Sequence, residues 1–406
     1  MPHSLLRRAT VSVVCATTMW AAAPSYAAAS DDRAVTSQRW ADRATQAYTA
    51  LQTRLYEGPA QHGLYREHTP RQSGDRDHSY LWPFREAAAA AVDMQALPRT
   101  GDAYRRDAAQ RFDTAELYFA AGDRPGYASY LPAPLGEGGD IYYDDNAVVA
   151  LSQLDQYEAT GDDRLLHRAE QVVPVVSRAW DDDPAKTCPG GMDWYDAPGN
   201  NLRATNVTAL SAQLAARLYE HTGKRGYLDR AERWYGWVHR CMRTAPGLYA
   251  NDRADSGEVN GTLWTYNSGS MIGTATSLYR STGDTAYLDK AVADAHGSLA
   301  HWTGGRRLHD QPAVFNAFYF KDLLDLDAVR PDPSYLRAMS AYADSAYASN
   351  RDDATGLYRF QPSGGGDYDP AAPASTLGQA AMVQIFATLA DATRPGHRSA
   401  PGRHTR

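Results

Sequence analysis

The residues of this chain that are best suited to chemistry are two adjacent carboxylates, Asp144 and Asp145. They stand at the predicted start of a helix, where the positive end of the helix dipole lowers the pKa of a carboxyl group. The like charge of the partner and the neighbouring side chains of Ile141, Tyr142 and Tyr143 raise the pKa of one of the two. Glycoside hydrolysis requires such a pair, one carboxyl group ionised and the other protonated.

The same pair also fits a structural role. Aspartate is a preferred N-cap residue, and a second aspartate in the first helical turn interacts favourably with the helix dipole. Taken alone, Asp144 and Asp145 therefore leave the catalytic and the structural interpretation open.

Other potential sites in the sequence are weaker. The aspartate run at 181–183 is typical of a solvated loop, since like charges repel each other. Asp252, Asp255 and Glu258 lack the spacing of a calcium loop, and the twelve histidines show no zinc-ligand spacing. We therefore predict no metal and no cofactor, because acid/base and nucleophilic catalysis need only the carboxylates.

Aromatic and polar side chains cluster where the chain enters every second predicted helix. Large rings near helix starts are common in protein cores, so each ring alone also fits a core position. Their shared placement with the aspartate pair favours a carbohydrate cleft, in which rings supply contact area and polar groups supply hydrogen bonds. The predicted substrate-binding residues are Trp82, Tyr142, Tyr143, Asn146, Trp194, Arg203, Trp264, Tyr266, Asn267 and Phe315.

A repeat organises the elements that must position these residues. Glycines at 101, 161, 223 and 283 follow apolar-periodic runs at a nearly constant spacing. Glycine in that place is typical of a helix C-cap, because it adopts the left-handed conformation at low cost, and the polar residue beside it suits the next helix start. Each copy therefore predicts a helical hairpin with a tight turn.

Extended along the chain, the pattern predicts an all-α fold of six hairpins, an (α/α)6 toroid, with an open helical array as the alternative. In a closed ring the N-termini of the even-numbered helices meet at one end. The long polar loops between hairpins then gather there, where function usually resides. The predicted helices span 34–56, 79–97, 102–119, 145–159, 162–180, 205–221, 225–243, 265–281, 284–303, 312–328, 333–350 and 374–393.

Composition indicates a folded protein, and the N-terminus indicates export. The chain has 406 residues, 43% of them hydrophobic, and a net charge of −7, which argues against nucleic-acid binding. Arg7 and Arg8, an apolar stretch and small residues predict a signal peptide over 1–29 and hence secretion. No later run is long enough for a membrane span. We expect one catalytic domain over 30–393, a disordered tail over 394–406, and a monomer.

Two cysteines remain once Cys15 leaves with the signal peptide. An oxidising compartment favours a disulfide between Cys188 and Cys241 that closes a long loop. Two buried thiols are the alternative.

From about Ser79 to Leu389 the sequence resembles glycoside hydrolase family 76, which includes bacterial endo-α-1,6-mannanases. The segments 142–146 and 264–269 and the Thr-Gly-Asp repeats carry the resemblance. It implies an (α/α)6 barrel, an α-mannan polysaccharide or oligosaccharide as substrate, and retaining hydrolysis. It also implies Asp144 as nucleophile and Asp145 as general acid/base.

Local helix geometry adds an expectation about the two roles. With Asp144 at the N-cap and Asp145 in the first turn, the two carboxyl groups can converge on one substrate. Asp144, nearer the free N–H groups, is then the more acidic of the two.

Three other functions remain open. The protein could be a toroid glycosidase or a transglycosylase acting on another α-linked glycan, or a non-catalytic glycan-binding protein. The aspartate pair favours an enzyme, because a binding module has no need for two adjacent acids.

Overall fold

Twelve α-helices form the part of the chain that the computed structural model describes, residues 26–396, with side chains from residue 33 onward. The predicted signal peptide, apart from residues 26–29, and the predicted tail beyond residue 396 lie outside this part. In chain order α1 to α12 span Tyr26–Arg54, Leu81–Gln95, Arg105–Ala115, Tyr143–Thr160, Asp163–Ser177, Thr205–Thr222, Arg225–Cys241, Thr265–Thr282, Thr285–Trp302, Ala313–Val329, Pro333–Ser349 and Thr376–Ala392.

Glycine caps end the first helix of three hairpins, as the repeat predicts. Gly161, Gly223 and Gly283 have φ values of 74°, 65° and 73° at the C-caps of α4, α6 and α8. The first hairpin differs, because there Arg99 adopts the left-handed conformation, with φ 69°. Gly101 instead packs so closely that a Cβ atom would lie 2.0 Å from the carbonyl oxygen of Gln95. The glycine is therefore needed at this turn for space.

The six even-numbered helices form a closed inner ring. Each packs against the next in the order α2, α4, α6, α8, α10 and α12, and α12 packs back against α2. Each of the odd-numbered helices α3 to α11 packs outside the preceding inner helix, and α1 covers α12. This arrangement confirms the predicted (α/α)6 toroid and excludes the open array.

Short strands join the long loops at one end of the ring. They span His68–Thr69, Phe119–Ala120, Gly126–Tyr127, Met192–Asp193, Leu202–Ala204, Arg243–Ala245, Leu248–Ala254, Val259–Leu263 and Ala374–Ser375, numbered β1 to β9. β4, β5, β7 and β6 form one antiparallel sheet with β8 on the other edge of β7, and β1 pairs with β9. The sheet therefore couples the loops that precede α6 and α8.

A disulfide ties this sheet to the outer helices. Cys188 lies in the loop before β4 and Cys241 is the last residue of α7, and their Cα atoms are 6.3 Å apart. Every helix within residues 26–396 is too short or too polar to cross a lipid bilayer.

Candidate active site

Asp144 and Asp145 lie in the first turn of α4, at the end of the ring where the long loops gather. Tyr142 is the N-cap, so the prediction that Asp144 occupies the N-cap is wrong. Pairing with a distant loop explains the difference: the Tyr143 amide donates to the carbonyl of Trp194 at 3.0 Å, and Tyr142 forms a β-bridge with Tyr195. These contacts end the extended segment two residues earlier than the local sequence indicated.

The Asp144 carboxylate is surrounded by hydrogen-bond donors. Its Oδ2 accepts from the Trp194 indole at 3.1 Å and from the Asn206 amide at 2.6 Å. Its Oδ1 accepts from the main-chain N–H of Asp145 at 3.1 Å. Burial raises the pKa of Asp144 to about 6, and these donors act against burial by favouring the ionised form. Asp144 therefore remains largely ionised at neutral pH.

Asp145 has the opposite environment. Burial raises its pKa well above the usual range, the negative charges of Asp144 and Glu86 raise it further, and Arg85 lowers it. Among the described residues, no side chain donates a hydrogen bond to this carboxyl group. Asp145 is therefore the member of the pair that holds a proton more readily. This is the expected order of the two pKa values, although its cause is the difference in donors and charges and not an N-cap position of Asp144.

Sequence reasoning missed Glu86 and Arg85, which lie in α2 beside the aspartate pair. Glu86 is fully buried; its Oε1 accepts from Arg85 at 2.6 Å and from the Trp82 indole at 3.0 Å. Arg85 Nε donates to the carbonyl of Val148, one turn beyond Asp145, at 3.0 Å. The one feature of the sequence that indicated a link between Glu86 and the site is its spacing of four residues from Trp82, which places both side chains on one helix face.

Four predicted rings form one wall of the site around Phe315. Tyr266 stacks on Phe315 with ring centroids 4.0 Å apart, and Trp82 stacks on it at 5.9 Å. Trp264 packs edge-on against the same ring at 5.4 Å. All four rings are half-buried, and the charge of Asp144 adds to burial in raising the pKa of Tyr266, which places this wall beside the pair.

A second aromatic cluster lies at α4 itself. Tyr142 packs edge-on against Trp194 at 5.3 Å and lies 5.5 Å from Tyr195. Trp194 remains 39% exposed while its indole nitrogen bonds to Asp144. Tyr195 was not predicted, although it follows Trp194 directly.

Four predicted substrate-binding residues have buried side chains, and their role in substrate binding stays a prediction. Asn146 is fully buried and exchanges hydrogen bonds with the main chain of Tyr127. Tyr143 belongs to the hydrophobic core. The guanidinium group of Arg203 is also fully buried. It donates to the carbonyl groups of Thr187, Cys188 and Gly190.

Asn267 is the fourth buried residue. Its side chain is fully buried, and its amide has no hydrogen-bond partner among the described residues. Nor does the described part of the chain contain a group of three or more His, Cys, Asp or Glu residues placed to hold a metal ion.

Comparison with known proteins assigns the chain to a family. The profile of glycosyl hydrolase family 76 matches residues 39–393, which is most of the chain. The chain belongs to this family. Membership in family 76 confirms the resemblance that segments 142–146 and 264–269 carried.

Curated sequence relatives of this chain come from fungi. The mannan endo-1,6-alpha-mannosidase DCW1 of Candida glabrata is 28% identical over 144 residues, 33% of this chain and 31% of that protein. Its counterpart in Eremothecium gossypii is 26% identical over 193 residues, 44% of this chain and 42% of that protein. The chain thus spans less than half the length of these curated relatives.

Solved structures from family 76 share the fold. A mannosidase of Bacteroides thetaiotaomicron has a TM-score of 0.77 at 22% identity, covering 88% of this chain and 100% of that one. A second solved structure is an inactive variant of the α-1,6-mannanase of Salegentibacter sp., with two consecutive aspartates replaced by asparagine, in complex with α-1,6-mannotriose. It has a TM-score of 0.69 at 18% identity, covering 86% and 99% of the two chains.

Proposed function

We propose that this protein is a secreted, retaining endo-α-1,6-mannanase in which Asp144 is the nucleophile and Asp145 the general acid/base. One observation carries the proposal: two adjacent carboxyl groups share a helix turn, yet donors surround one and negative charges face the other. Retaining hydrolysis needs one ionised and one protonated carboxyl group. The fungal mannan endo-1,6-alpha-mannosidases and the mannotriose complex of the Salegentibacter mannanase support α-1,6-mannan as substrate.

The chemistry proceeds in two displacements. The Asp144 carboxylate attacks the anomeric carbon while Asp145 donates its proton to the glycosidic oxygen, so the leaving sugar departs with a free 6-hydroxyl. The glycosyl ester on Asp144 has the β configuration. Asp145, now ionised, takes a proton from water as the water oxygen attacks the same carbon, which releases Asp144 and yields an α-anomeric product.

The arrangement of the rings supports action inside a long chain. The wall around Phe315 comes from α2, α8 and α10, whereas Tyr142, Trp194 and Tyr195 come from α4 and the loop before α6. Asp144 accepts a hydrogen bond from Trp194 of the second group, and its charge acts on Tyr266 of the first. Sugar units on either side of the cleaved bond therefore have rings to pack against.

The test is hydrolysis of linear α-1,6-mannan by the purified protein. We expect short oligosaccharides of several lengths to appear together early, and Asp144→Asn and Asp145→Asn to abolish hydrolysis. Asp163→Asn is the matched control, because Asp162 and Asp163 are also an adjacent pair at a helix N-terminus but lie at an exposed outer turn. Full activity in both active-site variants would overturn the proposal. Oligosaccharides longer than the starting chains would indicate a transglycosylase.

Azide distinguishes the two roles. The substrate is an aryl α-glycoside of an α-1,6-mannooligosaccharide, whose aryl leaving group departs without protonation. Azide should restore turnover of this substrate in Asp145→Gly and give an α-glycosyl azide. In Asp144→Gly, azide should not give this product. The reverse pattern would exchange the two assignments.

A further inference from the structure

The buried carboxylate of Glu86 lies in α2, at a junction with α4, α10 and α12 near the aspartate pair. Besides Arg85 and Trp82 of its own helix, it accepts a hydrogen bond at Oε2 from the Gln384 side chain of α12 at 2.8 Å. Arg85 also donates a hydrogen bond to the Val148 carbonyl of α4. Its guanidinium group lies over the Phe318 ring of α10, 5.0 Å from the ring centroid. Burial of a carboxylate is costly unless it is paired and hydrogen-bonded, and Glu86 is both.

One contact of Glu86 reaches the aromatic wall directly. The Trp82 indole N–H donates to Glu86 Oε1, which fixes the rotation of the indole about its side-chain bonds. In that orientation the ring stacks on Phe315 with an interplanar angle of 15°. Phe315 in turn stacks on Tyr266 at 7°. The orientation of three successive rings therefore depends on this carboxylate.

The second effect of Glu86 is electrostatic. Three charged groups face Asp145 from the elements packed around it: Asp144 in its own helix, and Glu86 and Arg85 in α2. The guanidinium group of Arg85 donates hydrogen bonds to Glu86 and to a main-chain carbonyl. Its positive charge therefore only partly offsets the negative charges of Asp144 and Glu86. The charges that face Asp145 thus oppose its ionisation.

We propose that Glu86 is a positioning residue of this site: its carboxylate holds the Trp82 indole in the cleft wall and places a second negative charge beside Asp145. The inference rests on the proposed function, because it gives Asp145 the role of the acid. Glu86 touches no reacting atom and acts through Trp82 and Asp145.

The pH profile of kcat/KM on α-1,6-mannan separates this role from a structural one. In Glu86→Gln the side-chain oxygen can still accept from Trp82, but the negative charge is gone. The pKa of Asp145 then falls, so the basic limb of the profile should move to lower pH by about one unit. Arg85→Gln removes the opposing charge, so the basic limb should move to higher pH. A general loss of stability would not produce shifts of opposite sign.

Two further variants complete the design. Trp82→Phe keeps the ring and loses the N–H donor, so KM should rise severalfold while the basic limb stays in place. Asp93→Asn removes another carboxylate from the same helix, one that pairs with Lys321 at 2.8 Å, and should leave the basic limb unchanged.

Each outcome decides a separate question. A wild-type protein without hydrolysis of α-1,6-mannan would refute the proposed function before Glu86 is tested. An active wild type whose basic limb is unchanged in both Glu86→Gln and Arg85→Gln would refute the inference about Glu86 alone. If either variant fails to fold, a carboxyl 13C NMR titration of Asp145 in the other decides: an unchanged midpoint contradicts the proposal.

Discussion

The indole nitrogen of Trp194 lies 3.1 Å from Oδ2 of Asp144, although 50 residues separate the two along the chain. Asn206, at the start of α6, donates to the same oxygen. Donors that stabilise a carboxylate lower its pKa, because they favour the charged form. Trp194 thus links the second aromatic cluster to the ionisation of the proposed nucleophile.

Replacing Trp194 with phenylalanine should raise the pKa of Asp144, since the ring remains and the donor is lost. The proposed nucleophile must be ionised, so the acidic limb of kcat/KM should move to higher pH, by about half a unit to one unit. Trp264→Phe is the control, because this ring packs on Phe315 and not on Asp144. Equal profiles for wild type and Trp194→Phe would contradict the prediction.

The first product released should be the α-anomer. Two displacements at the anomeric carbon each invert its configuration, so together they retain that of the substrate. Proton NMR recorded within the first minutes, before mutarotation, shows which anomer appears first. A β-anomer would mean single-displacement chemistry and would overturn the nucleophilic role of Asp144.

Arg203→Met should lower stability and leave substrate binding intact. The substitution leaves three carbonyl oxygens, of which that of Gly190 is buried and two are part-buried, without their charged donor, at a cost of about 2–4 kcal/mol in the free energy of unfolding. KM should remain within about twofold, as the guanidinium group does not reach the cleft. Urea titration and kinetics measure the two effects; Arg233→Met, whose side chain is 56% exposed, is the control. A large rise in KM at unchanged stability would contradict the prediction and would indicate that Arg203 binds substrate.

Loss of the disulfide should destabilise the protein. Cys188 and Cys241 close a loop of 53 residues, so the double substitution to alanine should lower the free energy of unfolding by about 2–4 kcal/mol. A thiol reductant should reduce the stability of the wild type by a similar amount and leave that of the double variant unchanged. An effect of the reductant on both proteins would point to another cause.

Asp322 should make stability depend on pH. It is buried in α10, where burial and the charge of Asp325 raise its pKa to about 8. A raised carboxyl pKa means that the folded state binds the proton more tightly, so this stabilisation is present at low pH and declines as pH rises toward 8.

In Asp322→Asn, the asparagine side chain resembles the protonated aspartate and cannot ionise. Relative to wild type, its free energy of unfolding should therefore increase between pH 5 and 8, by up to about 1.4 kcal/mol per pH unit. Chemical denaturation at several pH values measures the difference. A constant difference across this range would show that Asp322 does not hold its proton.

The amino-acid sequence by itself determined the helical hairpins and the position of the acids. Capping glycines and apolar stripes are local signals, and they repeat here at a spacing that only a large helical hairpin fits. Asp144, Asp145 and six rings stood at or shortly before the starts of the inner helices, so closing the ring was enough to bring them to one end. These features could be predicted because each depends on residues within one or two helical turns.

Tertiary structure decided which polar residues face the cleft. Arg203 and Asn146 stand beside the predicted site in the sequence, but the pairing of β5 with its neighbours and the contacts of Tyr127 bury them. Glu86 shows the converse, since it follows Arg85 in an alanine-rich helix and becomes part of the site only when α4 and α12 pack against α2. Burial and charge pairing depend on contacts between segments that lie far apart in the sequence, and those contacts exist only in the folded ring.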